Sequence, residues 1–73
     1  MDEARTLSEI IGENLRAWRT NVGCTQDELA RRMQGLGVDW RQPTVAMVEA
    51  GKREVPLAEF VILGLATNRR LAN

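Results

Sequence analysis

Apolar positions along the chain fall into four blocks with helical spacing. Ile11, Leu15, Trp18 and Val22 recur at intervals of four, three and four, which puts one apolar stripe on a helix. Thr6-x-x-Glu9 heads this block with capping-box spacing, so the pattern predicts a first helix from Leu7 to about Asn21, closed by Gly23. The second block, Leu29, Ala30 and Met33, follows Thr25-x-x-Glu28, another capping box. In the third, Val45, Val48 and Glu49 share one inward face. Pro43 fits only a first helical turn and Gly51 can take the left-handed conformation that ends a helix, which together predict a helix over roughly Arg41 to Ala50. A fourth helix starts after Val55-Pro56, with Leu57, Phe60, Val61 and Gly64 as its expected core stripe, and continues toward Thr67. The expected fold is all-α: a compact bundle of four to five short helices, a single domain over residues 1–73, with residues 1–6 as a flexible tail.

The two middle helices, over about 25–51, read as a helix-turn-helix, an arrangement that points to DNA. The carriers of this reading are Thr25-Gln26-x-Glu28-Leu29-Ala30, then Thr44-Val45-x-x-Val48-Glu49-x-Gly51-Lys52, with Leu15-x-x-x-Arg19 upstream. On these residues the chain resembles the phage-repressor type (Cro/Xre-like) helix-turn-helix regulators, over about Ile11 to Thr67. The resemblance implies a lambda-repressor-like five-helix DNA-binding domain in which the second helix lies across the DNA backbone and the third enters the major groove. It also implies a transcriptional regulator, with repression the expected mode. One departure stands out: Gln34 to Trp40 is several residues longer than the family's usual turn, so either the second helix runs on or the turn bulges.

The same resemblance sets out the candidate contacts. Gln42, Thr44 and Met47 fall where base-contacting side chains sit. A glutamine amide matches N6 and N7 of adenine, although Asp39-x-x-Gln42 also has capping-box spacing and would make Gln42 a cap. Thr44 suits a thymine methyl, a phosphate or its own backbone. Met47 suits a thymine methyl or a gap between helices. Pro43 stands where some members carry a second reading side chain and offers no hydrogen bond. Gln26, in the first turn of the second helix, is expected on a phosphate, as are Arg41, Lys52 and Arg53 around the third helix. Arg32 joins them if the long turn points it that way. Arg19 and Glu49 are implied to form a partly buried ion pair that orients the third helix without touching bases. Trp18 and Trp40 are expected in the core, Trp40 anchoring the long turn, with base stacking the alternative. Cys24 stands before a helix N-terminus, which allows a redox-sensing thiol, but the family usually has a small core hydrophobe there.

Charge sharpens this picture. The net charge is zero and the pI about 6.2, against a protein that coats nucleic acid by bulk electrostatics. Residues 1–15 carry Asp2, Glu3, Glu9 and Glu13 against Arg5, a balance of −3, whereas residues 31–53 carry five cations against Asp39 and Glu49, a balance of +3. The basic side coincides with the helix-turn-helix. Val61 to Ala66 is apolar all round, so Ile62 and Leu65 are expected either under a later helix or in a two-fold homodimer interface suited to a palindromic operator with half-sites about 34 Å apart.

With no histidine, one cysteine and no phosphate-cradling glycine loop, no catalytic constellation, metal site or cofactor is expected. A reducing cytoplasm is the expected compartment, and no segment reaches membrane-spanning length. The alternative function is a protein-interaction module on the same scaffold, such as the antitoxin of a toxin–antitoxin pair, for which the apolar fourth helix would supply the docking surface. A restriction-modification controller is a further DNA-binding option.

Overall fold

The computed structural model describes residues 5–67, so most of the expected N-terminal tail lies outside the described residues. Four helices and no strand occur among them: α1 (Leu7–Asn21), α2 (Gln26–Gly35), α3 (Gln42–Glu49) and α4 (Leu57–Thr67). α3 packs against both α1 and α2, and α4 packs against α2.

The helix ends follow from local chemistry. Thr6 is already the cap of α1: its Oγ1 accepts from the Glu9 N–H at 3.1 Å, and the Glu9 carboxylate accepts from the Thr6 N–H at 2.9 Å. Thr25 and Glu28 repeat this at the head of α2, at 3.0 and 2.8 Å. α3 starts differently. Arg41 is the cap residue and donates its backbone N–H to Thr44 Oγ1 at 3.3 Å, while Asp39 takes the Arg41 guanidinium at 3.0 Å. The Asp39-x-x-Gln42 spacing is therefore not a capping box, and Gln42 keeps its side chain for other partners. α1, α2 and α3 all end alike, with Gly23, Gly37 and Gly51 at φ +74°, +92° and +74°. In each, the next two N–H groups turn back onto the last turn, as Gly37 and Val38 do onto the carbonyls of Gln34 and Met33 at 3.0 Å.

This ending resolves the long segment between the middle helices. α2 runs on through Gly35, leaving Leu36 to Arg41 as the connection. Gln34 Nε2 donates to the Trp40 carbonyl at 2.6 Å and pins the connection from within. Trp40 is 1% exposed and sits in a core of Leu15, Cys24, Leu29, Ala30, Met33, Val45, Val48, Leu63 and Ala66. Its indole N–H donates to Glu59 on α4 at 3.1 Å.

α4 corrects the sequence reading. Leu57, Phe60 and Val61, expected in the core, are 78%, 46% and 56% exposed, and Gly64 is half-buried. The buried face is Leu63 and Ala66, with Ile62 half-buried against the core. An apolar run with no polar side gives periodicity nothing to fix its phase. The phase comes from Glu59, which faces Trp40; positions three, four and seven residues on are Ile62, Leu63 and Ala66. Ile62 is thus mostly a core residue, and Leu65, 55% exposed, is the one left outside.

Gly12, which the sequence reading passed over, is buried where α1 crosses the end of α3. A Cβ there would collide with the Val48 carbonyl oxygen and come within 2.8 Å of that of Glu49. Only a residue without a side chain lets the helices meet this closely. α1 and α4 instead diverge, leaving an apolar groove of about 730 Å³ between Leu7, Ile10 and Trp18 on one wall and Phe60, Leu63 and Gly64 on the other. No described helix is long and apolar enough to cross a membrane.

Candidate nucleic-acid interface

The close crossing of α1 and α3 brings Arg19 against Glu49. The guanidinium meets the carboxylate on two edges, Nε to Oε2 at 2.6 Å and Nη2 to Oε1 at 3.0 Å, and its Nη1 donates to the Cys24 carbonyl at 3.0 Å. The two side chains are 13% and 5% exposed. Burial works to raise the Glu49 pKa, but the hydrogen bonds from Arg19 and Gln26 more than offset it, and the carboxyl is held below its usual range. Donating to the Glu49 carboxylate in turn raises the Arg19 pKa.

From Glu49 a chain of amides leads outward. Gln26 Nε2, from the first turn of α2, donates to Glu49 Oε1 at 3.0 Å, and Gln42 Nε2, from the first residue of α3, donates to Gln26 Oε1 at 2.7 Å. The order of donors and acceptors in this chain is forced. A carboxylate only accepts, so Gln26 must turn its NH2 toward Glu49 and its carbonyl toward Gln42. Gln42 must then spend one N–H on Gln26, which leaves its carbonyl oxygen and second N–H free at the exposed start of α3. Three helices thereby fix the orientation of one exposed amide that offers a donor and an acceptor side by side.

The remaining expected contacts divide. Met47 is 45% exposed on α3. Thr44 is half-buried, with its oxygen engaged in capping α3. Lys52 is exposed just past α3 and has no ion pair among the described residues. Arg41 is exposed but paired with Asp39. Arg53 is drawn away: its guanidinium lies 5.7 Å over the Trp40 ring and donates to Glu59 at 3.1 Å. Arg32 leaves the group altogether. It folds over the Trp18 ring at 5.8 Å with Nη1 buried and unpartnered, beside Cys24. Burial raises the Cys24 thiol pKa and leaves the side chain 5% exposed, which suits core packing and not a reactive thiolate. Both tryptophans pack within the fold.

Arg16 was missed in the sequence reading. It is exposed one turn before Arg19 and lies near enough to Glu49 to help lower that carboxyl. Its signal was the Arg16-x-x-Arg19 spacing, which puts both cations on one face of α1. The site therefore combines an oriented amide, an exposed helix start and the flanking cations Arg16, Arg41 and Lys52. Among the described residues no cluster of three acidic, cysteine or histidine side chains could hold a metal ion. Comparison with protein-family models, with curated proteins and with solved structures finds no match to the chain.

Proposed function

We propose that α2 and α3 form a helix-turn-helix of the phage-repressor (Cro/Xre-like) type and that the chain is a sequence-specific double-stranded DNA-binding regulator. In this reading α3 enters the major groove and Gln42 reads a base. The observation that carries it is the hydrogen-bond chain Arg19–Glu49–Gln26–Gln42, because it engages one N–H of Gln42 and leaves a donor and an acceptor on the same amide, the pair of groups that suits adenine N6 and N7, a match worth about 1–3 kcal/mol of discrimination. Gln26 stands at the positive end of α2, where its neighbours' backbone N–H groups favour a phosphate. Lys52, Arg41 and Arg16 would flank the groove and meet phosphates, while Arg53 and Arg32 are kept for structural contacts. Occlusion of a promoter by a homodimer on a palindromic operator is the mode this reading favours.

Duplex binding measured across salt concentrations tests the proposal. Affinity should fall steeply as salt rises, and Lys52→Ala should reduce the slope by about one unit while weakening all duplexes alike. Affinity insensitive to salt and equal for duplex and unrelated polyanion would overturn it.

One observation favours a second reading, a protein-interaction module such as an antitoxin: the open apolar groove between α1 and α4. Sedimentation at micromolar concentration separates the cases. A dimer that dissociates on Leu65→Glu supports the two-fold regulator, and a monomer that binds no DNA supports the interaction module.

A further inference from the structure

The solvent-facing arc of α3 carries a narrow chemistry. At 3.6 residues per turn, Val45 and Val48 point inward, and Gln42, Pro43, Ala46 and Met47 fall on the opposite arc. Gln42, Pro43 and Met47 are exposed and Ala46 is half-buried. Gln42 is the only one of these four whose side chain can hydrogen-bond. Thr44 and Glu49, at the borders of the arc, are engaged with the Arg41 N–H and with Arg19 and Gln26. Pro43 and Met47 stand one turn apart and form an apolar patch beside the oriented Gln42 amide.

In a major groove such a patch discriminates by apolar contact. The polar atoms of every base edge lose water and gain no partner against methionine and proline, so what separates the pairs at that place is a methyl group able to fill the patch. Thymine presents a C5-methyl there, and cytosine presents the same group when it is methylated at C5.

We propose that Pro43 and Met47 select methyl-bearing pyrimidines, thymine or 5-methylcytosine, beside the adenine met by Gln42. This inference rests on the DNA-reading function proposed above. A rise of about 1.5 Å per residue over the five residues from Gln42 to Met47 spans about 7.5 Å along α3, which places the methyl within about one or two base pairs of the adenine. Cytosine methylation at that step turns a weak site into a stronger one, so the chain distinguishes methylated from unmethylated duplex.

The test uses the native chain and the duplex it enriches from a random pool. Each thymine is replaced in turn by deoxyuridine, which removes one methyl and leaves every hydrogen bond in place. Binding should weaken about three- to fourfold at one or two positions near the Gln42-dependent adenine, the effect of one buried methyl. 5-Methylcytosine in place of cytosine at those positions should strengthen binding by a similar factor, and Met47→Ala should erase both differences while keeping the adenine preference. Equal affinity for thymine and uracil duplexes at every position, with the adenine preference intact, overturns the inference and leaves the DNA-reading function standing. A folded chain that enriches no site overturns both.

Discussion

Arg19 and Glu49 show how one pair of side chains serves both folding and the proposed reading. Because both are largely buried, removing one strands the other: Glu49→Leu should cost about 3–5 kcal/mol in urea unfolding. The double variant Arg19→Met/Glu49→Leu should recover most of that loss, since well-packed apolar side chains replace a buried pair at little cost. Under the proposed DNA-reading function, base discrimination by the double variant should still fall, because Gln26 loses the acceptor that fixes its amide. A double variant as unstable as the single one would show that the pair is not the source of the cost. Gly12 makes a complementary case. Gly12→Ala drives a methyl into the backbone carbonyls of Val48 and Glu49, which cannot swing aside, and should destabilise by about 1–3 kcal/mol despite the better helix propensity of alanine. A neutral or stabilising change in thermal unfolding would contradict the close crossing of α1 and α3.

Elements were legible in the sequence wherever a local device fixed them. Thr6 with Glu9 and Thr25 with Glu28 mark the starts of α1 and α2, and Gly23 and Gly51 mark two of the ends, because capping and left-handed closure depend on a few neighbouring residues. The face of α4 was not legible, since Leu57, Phe60 and Val61 are as apolar as Leu63 and only the distant contact of Glu59 with Trp40 chooses between them. The pairing of Arg53 was not legible for the same reason: Glu59 and the Trp40 ring hold it against the fold. Glu59 is thus the clasp between the α2–α3 connection and α4. Glu59→Ala should leave the indole N–H of a 1% exposed tryptophan without a partner and cost about 1–3 kcal/mol, read in the unfolding midpoint together with a shift in Trp40 fluorescence. An unchanged midpoint would show that α4 is phased by packing alone.

At the scale of the whole molecule, Glu49 and Glu59 tie separate elements together, Glu28 caps α2, and the three share one pH dependence. Glu28 is lowered by its hydrogen bonds to Thr25, Glu59 by those from Trp40 and Arg53, and Glu49 by Arg19 and Gln26 against its burial. Each folded-state value lies below the usual 4.5, so the stabilisation is present in full above that value and is lost as pH falls through the lowered ones. Urea midpoints should be flat from pH 7 to about 5 and drop below about 4.5. The donor–acceptor order of the Gln26–Gln42 amides should cease to be forced over the same range, because a protonated Glu49 can donate as well as accept. The charge asymmetry along the chain was visible at the outset, yet the structure places several of its cations in ion pairs, Arg31 with Asp27 and Arg41 with Asp39 at the surface and Arg53 with Glu59 partly buried. What stays outward is a single oriented amide and a few flanking cations. The most direct test of the proposed reading is therefore selection of binding sites from a random duplex pool at about 100 mM salt, for the native chain and for Gln42→Ala. An enriched palindromic motif that loses its preference at one adenine in the variant is the predicted result. No enrichment by a folded native chain, or a motif that Gln42→Ala leaves unchanged, would contradict it.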